Sequence, residues 1–114
     1  MALYRKLDVW QRSRLLSISV YRETATCRDY GFKDQITRSA LSVPSNIAEG
    51  CERKSLKERQ RFFAIVKGSI GEFATQADIG TEVGFVHKDV AARWQSEALQ
   101  ISRMLGALIK SLEQ

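Results

Sequence analysis

The side chains in this sequence that could do chemistry are few and poorly grouped. A single histidine, His87, is the natural general acid or base, but it stands in a predicted loop with no cysteine nearby. Acid–base or metal chemistry there would need partners converging from other helices. Glu49, Glu72 and Asp78 offer carboxylates that could gather a metal inside a helical bundle, yet the E-x-x-H spacing that sets a carboxylate and an imidazole on one helix face is absent. Cys27 and Cys51 lie 24 residues apart with no C-x-x-C pattern, which in a reducing compartment supports neither a disulfide nor a metal site. Cys51 follows the predicted carbonyl end of a helix, where the dipole disfavours a thiolate and hence a nucleophile. The expectation is a protein that is not an enzyme, with no catalytic residue, no metal and no cofactor.

The chemistry these residues do suggest is the binding of phosphate. Arg53, Lys54, Lys57, Arg59 and Arg61 fall within nine residues, and Arg38 can join them from preceding turns. Such a cluster neutralises backbone phosphates of RNA or DNA and releases their counterions, so binding would weaken steeply with salt and carry little sequence preference. The competing reading is a solvated charged corner, because Glu52 and Glu58 interleave with the cations and no aromatic stacking platform is recognisable there. Tyr4, Arg5 and Lys6 form a lesser candidate. The net charge of +5 is uneven along the chain: residues 1–61 hold 13 Lys/Arg against 7 Asp/Glu, and residues 62–114 hold 5 against 6.

With 114 residues, 44% of them hydrophobic, the chain suits one domain, residues 1–114, able to bury a core without disulfides. No segment approaches the roughly 20 apolar residues of a membrane span, and the first residues lack the apolar run of a signal peptide, so a cytoplasmic protein with no membrane partner is expected. Helical periodicity dominates. A first helix is predicted over 8–26, opened by Asp8 with Gln11 in a capping box. The loop Tyr30-Gly31-Phe32 separates it from a second helix over 33–53. There Ile36, Ala40, Val43 and Ile47 hold one face on both sides of Pro44, which argues for a single kinked helix. Ser55 and Glu58 form a second capping box, starting a helix over 56–83 that Gly84 and Phe85 should stop in a left-handed turn. The last helix, 88–112, repeats Ala91, Trp94, Ala98, Ile101, Leu105, Leu108 and Leu112 at bundle-seam spacing. An all-α, antiparallel, up-down-up-down four-helix bundle satisfies every local signal.

Two stripes are more than a core requires. On the third helix, Phe62, Val66, Ser69, Phe73, Gln76 and Gly80 form the predicted core face, while Ala64, Gly68, Gly71 and Thr75 make a small-residue row nearly opposite. Each glycine inside a helix costs about 1 kcal/mol relative to alanine, so either a neighbouring helix of the same bundle or another copy of the chain approaches along that row. Phe63, Ile65, Ile70 and Ile79 spread the apolar surface further, which predicts a homo-oligomer. On the second helix, Ser39, Ser42, Asn46, Glu49 and Arg53 form a polar stripe that either is solvated or makes a network around Pro44. In that network Ser or Asn side chains take the carbonyl of Ala40 that the proline leaves bare, and Glu49 pairs with Arg53.

Taken together, Tyr4, Leu7, Val9-Trp10-Gln11, Gln35 to Ala40, the string Ser42-Val43-Pro44-Ser45-Asn46-Ile47-Ala48-Glu49-Gly50, Arg53, Phe62-Phe63 and Gly68-Ser69-Ile70-Gly71-Glu72 resemble the large-subunit (23S) rRNA intervening-sequence family of four-helix-bundle proteins. The likeness spans nearly the whole chain. It implies a left-handed bundle assembled as a homopentameric ring, encoded in bacterial 23S rRNA gene insertions or in free-standing genes. It also implies similarity to accessory proteins of diversity-generating retroelements, which are basic and bind nucleic acid and a reverse transcriptase. On this reading Pro44, Ser45, Asn46, Glu49 and Gly50, with Gly68 and Gly71, are the structural and interface motif. Two functions from different classes follow: a nucleic-acid-associated accessory protein, and a scaffold whose ring docks a partner protein without touching nucleic acid.

Overall fold

The computed structural model describes residues 3–113, and among them there are four α-helices and no strand. A short 3-10 turn, Leu3–Lys6, leads into α1 (Asp8–Glu23), followed by α2 (Tyr30–Glu52), α3 (Leu56–Glu82) and α4 (Lys88–Leu112). The molecule measures 44 × 21 × 21 Å. Its long dimension is set by α3, whose 27 residues at a rise of about 1.5 Å span about 40 Å.

Local chemistry explains the helix ends, not always in the way the sequence predicts. Asp8 does not cap α1. It is the first helical residue, Leu7 takes the cap position with no side-chain bond, and Gln11 reaches back to the Arg5 carbonyl at 2.8 Å. The preceding 3-10 turn explains the difference, since it presents that carbonyl within reach of Gln11. The helix stops at Glu23 rather than Thr26, because the buried Thr24 hydroxyl donates to the Val20 carbonyl at 2.7 Å and closes the last turn. Residues Tyr30 to Phe32 are not a loop. Asp29 caps them by accepting from the Phe32 amide at 2.9 Å, and Gly31 is tolerated in the first turn. At α3 the Ser55 side chain accepts from the Glu58 amide at 3.1 Å. The helix ends in a Schellman arrangement: Gly84 has φ +86°, its amide donates to Thr81 and the Phe85 amide to Gly80. His87 caps α4 through Nδ1, which accepts from the Asp89 amide.

The core runs through all four helices and includes Val20, Ile36, Ile47, Val66, Phe73, Trp94, Ile101 and Leu105. α2 passes through the buried Pro44 without a break. The predicted α3 core face needs correction at two positions. Phe63, 1% exposed, fills the place given to Phe62, and Gln76 is a half-buried polar residue that accepts from Ser39 Oγ at 2.6 Å. Adjacent helical positions diverge by about 100°, so with Phe63 facing the core Phe62 is turned toward the edge of that face, half-buried. Gly50 is what allows Phe63 in: a Cβ on Gly50 would sit 2.7 Å from the Phe63 ring.

Candidate nucleic-acid interface

One apolar cavity gathers the start of α1, the end of α2, the start of α3 and the end of α4, for it is lined by Leu3, Tyr4, Leu7, Cys51, Arg59, Phe63, Leu108 and Leu112. Around it, segments 3–14, 49–67 and 103–113, with Glu97 that pairs with Arg12 at 2.7 Å, carry 12 of the 18 Lys/Arg but only 6 of the 13 Asp/Glu. The charge asymmetry seen along the sequence is therefore a property of one end of the molecule. Tyr4, Arg5 and Lys6, read separately from the α2–α3 corner, belong to the same end.

The six candidate cations differ in what holds them. Arg53 stands at the C-cap of α2, bonds Glu49 at 2.8 Å and lies over the Phe62 ring at 4.9 Å, while Arg61 approaches the same ring at 5.7 Å. Arg59 donates from Nε to the Arg53 carbonyl at 2.6 Å, satisfying a backbone group at the helix end. Lys54, Lys57 and Arg61 are exposed and without a carboxylate partner among the described residues. Arg38 does not join this corner. Fifteen residues before Arg53 on one helix, it lies about 22 Å away along the axis and pairs with Asp34 at 2.9 Å, which raises its pKa further. Phe62 is the residue sequence reasoning missed, because the spacing assigns it to the core place that Phe63 takes. It is an aromatic platform at the corner where none was expected, with two guanidiniums rather than bases against it. Near the 3-10 turn Trp10 plays the matching part, with Arg5 over its ring at 5.1 Å and Tyr4 edge-on at 5.2 Å.

The polar stripe of α2 is a network, bonded differently from expectation. Asn46 donates to the Ser42 carbonyl at 2.8 Å and contacts its hydroxyl at 2.9 Å, Ser69 of α3 donates to Ser42 Oγ at 2.9 Å, and Glu49 holds Arg53. The carbonyl of Ala40 receives no side-chain donor among the described residues, because the Asn46 amide is spent one turn back on Ser42. Ser45 is exposed beside the buried Pro44.

The groups with catalytic potential are dispersed. Glu49, Glu72 and Asp78 are exposed, and no group of three metal-ligating side chains forms among the described residues. Cys51 lies inside the last turn of α2, not beyond it; burial pushes its thiol pKa up, against the opposing pull of Arg59. A Cβ added to Gly68 or Gly71 would meet no atom within 4 Å, so close packing within the bundle does not require either glycine.

The string from Ser42 to Gly50 is thus the segment that sets α2 against α3: Ser42 meets Ser69, and Gly50 admits Phe63. It lies within residues 5–107, which match the 23S rRNA-intervening sequence proteins. The chain belongs to that family. The match takes in the basic corner, Phe62, both exposed glycines, Arg5 and Trp10, and leaves out Tyr4, Leu108 and Leu112. No curated protein matches the chain. For this 23S rRNA-intervening sequence protein, no described helix is long and apolar enough to cross a membrane.

Proposed function

We propose that this chain is a non-enzymatic, oligomeric four-helix bundle that associates with nucleic acid through its phosphate backbone, as an accessory or scaffold protein. The observation that carries the reading is the convergence of two basic segments, Arg5-Lys6 and Arg53 to Arg61, at one end of the molecule, with guanidiniums oriented by Phe62 and Trp10. Pre-oriented cations lose less side-chain freedom on meeting phosphate than unrestrained ones. Lys54, Lys57 and Arg61 make the contacts, Arg53 and Arg59 brace the corner, and repetition in a ring multiplies a small patch.

The architecture behind this reading is antiparallel, up-down-up-down and left-handed, bent at Pro44. Its order is supported by the pairing of positions. Ser39, Ser42 and Gly50 climb α2 as their partners Gln76, Ser69 and Phe63 descend α3, and Arg12 and Ser19 climb α1 as Glu97 and Trp94 descend α4. Assembly as a homo-oligomer, a pentamer by family likeness, is supported by Gly68 and Gly71 standing open beside the exposed Ile65 and Ile79. The exposed apolar surface, with Leu15 and Leu99, also favours the second reading, a ring that docks a protein partner such as a reverse transcriptase.

A gel-shift titration against RNA and DNA separates the two. The first reading predicts a shift at low salt that is lost by moderate salt, and its abolition when Lys54, Lys57 and Arg61 are changed together to Glu. No shift at any ionic strength would leave the protein-docking scaffold as the function.

A further inference from the structure

The cavity at the basic end has a construction that phosphate-backbone binding does not use. Its volume is about 210 Å³, and its walls are Leu3, Leu7, Phe63, Leu108 and Leu112 with the ring of Tyr4. An enclosed apolar cavity of about 150 Å³ accommodates benzene, so this one, open on one side, has room for a short alkyl chain. The one cation in its wall among the described residues is Arg59, which is half-buried and fixed by the bond from Nε to the Arg53 carbonyl. Four of the five guanidinium donors remain, and neither terminal nitrogen bonds any group among the described residues. Among the described residues no Asp or Glu lines the cavity, so no lining carboxylate side chain offsets the charge of Arg59. A pocket of this form matches an occupant with an apolar tail and an anionic head.

We propose that this cavity binds a short-chain amphiphilic carboxylate, its alkyl tail among Phe63, Leu108 and Leu112 and its head on the terminal nitrogens of Arg59. Cys51, in the same wall, reports on occupancy. In a Cys27→Ser protein, where Cys51 is the one thiol, hexanoate is expected to slow alkylation of Cys51 at least tenfold at saturation. Hexanol should protect at least tenfold more weakly by concentration, and hexylamine not at all. Arg59→Met, which keeps the stem and removes the charge, should erase the preference for hexanoate over hexanol. Because Arg59 also closes the end of α2, Leu108→Trp provides a second variant that fills the cavity with Arg59 intact, and it should abolish protection by either compound. Equal protection by hexanoate and hexanol would overturn the assignment, as would no protection at millimolar hexanoate or protection that survives Leu108→Trp. The gel shift above is read independently, so failure of either reading leaves the other standing.

Discussion

Gly50 and Gly68 lack side chains for opposite reasons, and substitution should separate them. A Cβ at Gly50 would sit 2.7 Å from the ring of the buried Phe63, which would have to leave its packed position toward the cavity it lines. Gly50→Ala should therefore destabilise the fold by about 1–3 kcal/mol, read as a lower urea midpoint at unchanged slope. Gly68 faces open space in the isolated chain, where Gly68→Ala should add about 1 kcal/mol by helix propensity alone. If the row on α3 meets another copy, the same change weakens assembly instead, and sedimentation velocity on the variant distinguishes the outcomes. The Arg12–Glu97 pair, 2.7 Å apart between α1 and α4, has a pH signature. The hydrogen bond from Arg12 holds the Glu97 carboxyl below its usual range. A depressed carboxyl stabilises the fold above its unfolded pKa, about 4.3, and this contribution disappears as pH falls through the folded value. The Tm gap between the native chain and Glu97→Gln should thus be constant near neutrality and close below pH of about 4.

At the scale of the element, caps decide where these helices begin and stop, and the four helices show how far a cap can be read from sequence. Ser55 with Glu58 is a strictly local device and works as its spacing implies. Asp29 is the same kind of device, hidden because Gly31 two residues on looks like a breaker. Ser55→Ala and Asp29→Ala should each cost about 1 kcal/mol, with fraying at the first turn of α3 or α2 visible as faster amide exchange there. Gly84→Ala forces a Cβ into the left-handed region and should cost about 1–2 kcal/mol. Asp8 with Gln11 has the spacing of a cap and is not one, since a 3-10 turn ahead of α1 offers Gln11 a different acceptor. α2 persists through Pro44 because Val43, Ile47 and the proline itself are buried; burial of these residues outweighs the roughly 3 kcal/mol an interior proline costs.

For the whole molecule, the distribution of charge matters more than its sum. Basic residues distant in sequence come together around one end, while Arg38, near to Arg53 by count of turns, is remote from it and neutralised by Asp34. If the basic end is the phosphate-binding surface, charge reversal there should abolish the low-salt gel shift, whereas Arg38→Glu should leave it within about twofold. The residues alone determined that the chain is all helical, where α3 and α4 start, that an aliphatic stripe continues past Pro44, and which family it joins. The first three depend on periodicity or capping within a few residues, and the family on the likeness of motifs spread over nearly the whole chain. Tertiary structure alone decided which of Phe62 and Phe63 turns inward, which cations are committed to braces and which are free, that Asn46 serves Ser42 rather than Ala40, and that close packing in their own chain does not require Gly68 or Gly71. The physical reason is that these outcomes depend on how helices rotate about their axes and meet. A rotation on the order of tens of degrees, set by packing across the core, exchanges a buried position for an exposed one while leaving every local spacing unchanged.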